Sequence, residues 1–75
     1  MYKLNVLKQI TLEDGRLFLP DHPCAGLNAF EVAELVTDHP KHFAPGDELT
    51  RDFVERDPAN LKHLADAAKQ KRKEQ

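Results

Sequence analysis

The stretch from Leu27 to Pro40 limits the fold more than any other part of the chain, because it reads as one helix with both ends marked. Asn28 can accept a hydrogen bond from the backbone three residues on, and Glu31 at that position can reach back to the cap, the reciprocal pattern of a capping box. Pro40 stops the helix, since its ring cannot continue the hydrogen-bond ladder and pushes His39 out of the α region. Phe30, Val32, Ala33, Leu35 and Val36 supply an apolar surface, and Glu31, Glu34 and Asp38 are polar. A helix of roughly ten residues is marginal alone in water. The remainder of the chain therefore has to provide its seat.

The preceding residues offer one. Tyr2, Leu4, Val6, Ile10 and Leu12 share one parity, with Lys8 the exception; Lys3, Asn5, Gln9 and Thr11 share the other, with Leu7 the exception. A period of two predicts a strand with one buried face. Asp14-Gly15 predicts a two-residue hairpin turn, and Arg16 to Leu19 the returning strand, ended by Pro20. Asp21 to Gly26, with two prolines and a glycine in or beside it, reads as a loop. Beyond the helix, Pro45-Gly46 carries the signature of a type II turn. Phe43 and Leu49 flank it and are expected to plug the edge of the core, with a short third strand near Phe43. Thr50 reads as the cap of one or two helical turns reaching Arg56. Asp57-Pro58 is a helix start, cap then first helical position. Leu61, Leu64, Ala65 and Ala68 then repeat at helical spacing.

These signals predict a single α+β domain over residues 1–68. Its N-terminal β-hairpin, of two to three short strands, is packed by the central helix, and a C-terminal helix follows. Phe30 and Val36 are expected to be buried against the hairpin. Nothing after Ala68 is apolar, so residues 69–75 are expected to form a basic, frayed tail. A chain of 75 residues buries only about 60% of its surface, which leaves a thin core.

Charge is divided unevenly. Residues 1–57 hold eleven acids and six bases, and residues 58–75 hold two acids and five bases. The body is thus at −5 and the end at +3. A dedicated nucleic-acid binder usually presents a basic face, so the acidic body argues against that class. The lone cysteine, Cys24, excludes an intramolecular disulfide and fits a reducing compartment. The first residues contain no apolar run like that of a signal peptide. No stretch approaches the roughly 20 apolar residues of a membrane span. The expected location is the cytoplasm.

His22, Cys24, His39 and His42 are the residues of the chain that could gather as transition-metal ligands, since imidazole and thiolate suit zinc. Their spacing, His-x-Cys followed by His-x-x-His, matches no zinc module, and the plainer reading is a free thiol in a loop with histidines at turns. No metal and no cofactor are therefore expected. Cys24 with His22 or His39 could form a nucleophile and base, but catalysis would also need an orienting group and an oxyanion site. Asp47-Glu48 and Asp52-Glu55 read as solvated charge rather than a calcium loop. No catalytic residues are expected.

Asp14-Gly15-Arg16-Leu17-Phe18-Leu19-Pro20 and Phe43-Ala44-Pro45-Gly46-Asp47-Glu48-Leu49 each resemble the D-G-x-x-y-x-P-G-D signature of small phage and prophage proteins of the Mu-like group, encoded near head and tail genes. In that group a short hairpin precedes a helix rich in Glu, Ala and Leu, and Glu31 to Val36 is similar. Here the Pro-Gly-Asp follows the helix rather than preceding it, and Pro20 is followed by Asp21 with no glycine between. The resemblance covers about half of the chain. It implies a small bacterial, prophage-associated protein with no enzymatic role, acting in virion assembly. The function expected on all these grounds is non-enzymatic protein interaction or virion-assembly support. The expected partner is another protein chain, a phage structural protein or a second copy of itself, rather than nucleic acid or membrane. The alternative is a nucleic-acid-binding accessory that uses the basic C-terminal helix.

Overall fold

The computed structural model describes residues 1–73, with side chains described as far as Lys71. The protein is α+β, with elements in the order β1 (Tyr2–Val6), β2 (Ile10–Thr11), β3 (Leu17–Phe18), β4 (Cys24–Leu27), α1 (Ala29–Asp38), β5 (Phe43–Pro45), α2 (Glu48–Arg56) and α3 (Pro58–Lys73). Strands β4, β1 and β5 form a three-stranded sheet in that order, and β2 and β3 form a separate two-stranded sheet. All pairings are antiparallel.

The parity of β1 holds, with Leu4 and Val6 buried and Lys3 and Asn5 exposed. The strand does not continue to Leu12, however. It breaks at Leu7 to Gln9, where Leu7 and Lys8 depart from the alternation, and the Leu7 N–H donates to the His42 carbonyl at 2.7 Å. The partner of β1 is therefore not the returning strand. It pairs with β4 on one side and β5 on the other. The hairpin is only β2 with β3. Its closing pair, Leu12 N–H to Arg16 C=O at 2.8 Å, leaves three turn residues rather than two, with Gly15 at φ 93° in the left-handed region that glycine tolerates.

Residues Cys24 to Gly26, expected in a loop, belong to an edge strand. The register between Tyr2↔Leu27 and Leu4↔Cys24 carries one extra residue on β4, and Gly26 takes φ 69°. A bulge of this kind accommodates a glycine that a regular strand would not favour. The third strand expected near Phe43 is β5.

Helix α1 has the capping box expected of Asn28 and Glu31: the Glu31 N–H donates to Asn28 Oδ1 at 2.8 Å, and the Asn28 N–H donates to Glu31 Oε1 at 3.4 Å. It lies between two seats. Val32 and Leu35 join Leu4, Val6, Leu27 and Phe43 in the main core, while Ala33 packs with Leu61 and Ala65 of α3. Val36, Phe53 and Val54 touch both clusters. Tyr2 stacks on Phe53 at 4.6 Å between ring centroids, and Phe18 meets Phe43 edge-on at 5.1 Å.

Three packing expectations need correction. Phe30 is not buried against the hairpin; it is 39% exposed, and the Lys71 ammonium lies 5.6 Å from its ring centre. Glu34, counted with the polar residues of the helix, is only 5% exposed, a burial that its ion pair with Arg16 of the hairpin compensates. Leu49 does not plug the core and is 58% exposed.

The turn into α2 also differs. Gly46 does not adopt positive φ, so Pro45-Gly46 is not a type II turn. Gly46 is required for close approach: its N–H donates to the Lys3 carbonyl at 2.8 Å, and a Cβ there would lie 2.8 Å from Lys3 Cγ and 3.1 Å from the Lys3 oxygen. The α2 cap is Asp47, whose carboxylate accepts the Thr50 N–H at 2.8 Å. Thr50 is fully buried, and its hydroxyl accepts the Lys3 N–H at 2.9 Å. Asp57 caps α3 as expected, accepting the Asn60 N–H at 3.2 Å. That helix continues through the segment read as a tail, to Lys73; Glu74 and Gln75 lie outside the described residues.

Candidate protein-interaction groove

The hairpin turn, the second half of α1 and the last turns of α3 enclose a concavity of about 630 Å³, lined by Thr11, Leu12, Glu13, Asp14, Glu34, Asp38, His39 and Lys69. Local chemistry places each wall. In the turn, Asp14 accepts the Arg16 N–H at 3.1 Å, an Asx-type bond that fixes the corner. Arg16 then forks: its Nε meets Asp14 Oδ2 at 2.7 Å and a terminal nitrogen meets Glu34 Oε1 at 3.2 Å. This ties the hairpin to α1. Glu34 and Asp38 are one helical turn apart and share a face. Lys69 of α3 closes the groove with an ion pair to Asp38 at 2.7 Å, and that bond raises the Lys69 pKa above the usual lysine value.

Among the described residues the lining holds four carboxylates and one ammonium. Arg16 stands just behind this lining and reaches both Asp14 and Glu34.

The fold separates the residues considered as metal ligands. Cys24 lies on β4, while His42 precedes β5, and β1 runs between those two strands. His39 and His42 do approach each other, with ring centroids 6.1 Å apart, but His22 is on an exposed loop. Among the described residues, no three or more His, Cys, Asp or Glu side chains gather where an ion could be held. The Cys24 thiol is half-buried, and burial, with a smaller contribution from the Glu31 charge, raises its pKa. A thiol held protonated is a poor nucleophile. Of the acidic neighbours, Asp47 serves as the α2 cap and Asp52 pairs with Arg56 at 3.4 Å. Bonds from the Thr50 hydroxyl and N–H hold the Asp47 carboxyl below the usual carboxylate range.

Of the groove residues, His39 was singled out in the sequence, as a candidate metal ligand; the rest were not read as one site, because they come from three separated segments. The one local signal was Asp14-Gly15-Arg16, read for its turn alone. No helix among the described residues is long and apolar enough to cross a membrane. Comparison with protein-family models, curated proteins and solved structures finds no match to this chain.

Proposed function

We propose that this protein is a non-enzymatic protein-interaction module, an assembly accessory whose edge strands receive another chain. The observation that carries this reading is the unequal treatment of strand edges. On the three-stranded sheet, β4 carries a bulge at Gly26 and β5 ends in Pro45, which has no N–H to offer; bulges and prolines are the devices that blunt an edge against pairing. The β2–β3 hairpin carries neither, and on β3 it presents Leu17, 53% exposed. Its strands are only two residues long, so the exposed Leu17 beside the open edge is the feature an added strand would use. Asp14, Glu34 and Asp38 of the groove are engaged by Arg16 and Lys69, and the thiol is held protonated, so these groups serve poorly as free acid, base or nucleophile. The resemblance to Mu-like prophage proteins makes virion assembly the setting we propose.

The nucleic-acid reading is weakened by where the basic residues point. Lys69 is paired with Asp38, and Lys71 covers Phe30. Two cations of the tail are thereby turned toward the protein's own α1. A photo-cross-linking residue at position 17, with position 62 as an exposed control on α3, tests the proposal in the host cell. A discrete protein adduct from position 17 alone supports it. Absence of any such adduct, together with duplex DNA binding tighter than the non-specific range of roughly 10⁻⁴–10⁻⁶ M and weakening steeply with salt, overturns it.

A further inference from the structure

We infer that Asp14-Gly15 is a site of spontaneous isoaspartate formation that the folded hairpin holds in check, with the Arg16 fork as its guard. This property of the turn is independent of the interaction-module reading above.

The chemistry lies in the residue pair. The Gly15 nitrogen can attack the carbonyl carbon of the Asp14 side chain. The amide proton, one solvent proton and one carboxylate oxygen leave as water, and a five-membered succinimide closes. Water then opens the ring. Opening at the side-chain carbonyl restores aspartate. Opening at the main-chain carbonyl leaves the backbone running through the side-chain carbons, as isoaspartate. Glycine has no Cβ to shield its nitrogen or restrict its backbone, so Asp-Gly closes this ring more readily than pairs with a bulkier second residue. The pair occurs once in the chain. Both residues are exposed, and among the described residues nothing comes within 4 Å of where a Gly15 side chain would begin. Neither the ring nor the water that opens it is crowded out.

The fold nevertheless engages both reacting groups. The Gly15 N–H donates to the Leu12 carbonyl at 3.0 Å. Asp14 Oδ1 accepts the Arg16 N–H at 3.1 Å, and Oδ2 accepts Arg16 Nε at 2.7 Å. Both carboxylate oxygens are thus tied to the residue beyond the glycine. Ring closure requires the carboxyl carbon to leave those bonds and swing onto the Gly15 nitrogen, which must itself leave Leu12. The reaction therefore waits for a local opening of the turn. Once formed, isoaspartate puts an extra carbon into the backbone of a three-residue turn. That displaces Arg16 from its bond to Glu34, the tie between hairpin and α1.

The test incubates the full chain at neutral pH and physiological temperature, either folded or unfolded in urea. Isoaspartate at position 14 is followed by peptide mapping, since it keeps the mass of aspartate but differs in retention and in electron-transfer fragments. Folded parent should isomerise at least about tenfold more slowly than unfolded parent, because only the opened turn reacts. In the folded state Arg16→Gln should isomerise several-fold faster than the parent. Thr50→Val, which loses a bond between other elements, should keep the parent's rate, so that a general loosening is told apart from loss of the fork. The purified isoaspartyl chain should melt below the parent. No isoaspartate in the unfolded chain, equal rates in folded and unfolded parent, or equal rates in folded Arg16→Gln and parent overturns the inference, as does an isoaspartyl chain that melts with the parent. The comparison of folded with unfolded parent needs no variant, so it decides the matter even if Arg16→Gln fails to fold.

Discussion

Gly46→Ala separates two explanations for one glycine, and its cost can be worked from the structure. If Gly46 were kept for positive φ, alanine would pay for a strained backbone, and asparagine, which tolerates the left-handed region, would be mild. The backbone at Gly46 is not left-handed. An added Cβ would instead lie 2.8 Å from Lys3 Cγ, 3.1 Å from the Lys3 oxygen and 3.2 Å from its carbonyl carbon. Two of those three atoms are main chain of the central strand, already bonded to the Gly46 N–H, and cannot retreat without disturbing the sheet. Overpacking of this kind costs about 1–3 kcal/mol. A loss of about 2 kcal/mol lowers the melting midpoint of a domain this size by about 8–16 °C. It also consumes a large share of a total stability on the order of 4–11 kcal/mol for such a chain. Thermal melts followed by circular dichroism should place Gly46→Ala and Gly46→Asn equally low. Adding Lys3→Ala should restore only part of the loss, since it removes Cγ and leaves the carbonyl. Gly15 is the internal contrast: φ is 93° with open space around it, so there asparagine should be milder than alanine. A Gly46→Ala midpoint within about 3 °C of the parent, a shift well under 1 kcal/mol, or an asparagine variant clearly better than alanine, would refute the close-approach account.

The remaining predictions follow from the same packing. Leu35→Ala, at a fully buried position, should cost about 2–5 kcal/mol in urea unfolding, whereas Phe30→Ala should cost about 1–1.5 kcal/mol, since only part of its full burial value is realised; equal losses would contradict the placement of Phe30. Thr50→Val keeps the shape but leaves the Lys3 N–H without its acceptor, a loss of about 1–3 kcal/mol, and Thr50→Ser should be milder. Asp47 has a folded pKa below its unfolded one, so its charge contributes stability above the unfolded value, about 3.9, and that contribution is lost as pH falls through the folded value. Asp47→Asn keeps a competent cap, so its deficit against the parent in urea midpoint should be present at pH 7 and shrink on acidification; a pH-independent deficit would exclude the linkage.

Which parts of this fold the sequence disclosed depends on how local their causes are. The α1 boundaries follow from Asn28, Glu31 and Pro40, all within the helix or next to it, and they were legible. So was the inward parity of Leu4 and Val6, and so was the Asp57-Pro58 start of α3. What the sequence could not disclose was choice of partner. Leu7 and Lys8 marked where the alternation failed, but not that β1 would turn from β3 to Cys24–Leu27. That segment looked like a loop because Pro23 and Gly26 disfavour a regular strand, yet the strand starts just after Pro23 and takes Gly26 in a bulge.

Phe30 and Glu34 exchange their expected places for the same reason. The helical period fixes which residues share a face; it does not fix which face is covered. Once α3 covers Ala33 through Leu61 and Ala65, Glu34 is drawn inside, at 5% exposure. A carboxylate can remain there because Arg16, eighteen residues earlier, is brought to 3.2 Å by the hairpin turn, and an uncompensated buried charge would cost several kcal/mol. The turn is thus more than a chain reversal. Its Arg16 fork joins the hairpin to α1 and holds Glu13 and Asp14 opposite Glu34 and Asp38. The same short hairpin ends β2 at Thr11, which lines the groove. The groove is therefore a consequence of pairing over long sequence separation, which explains why no single stretch of the sequence announced it.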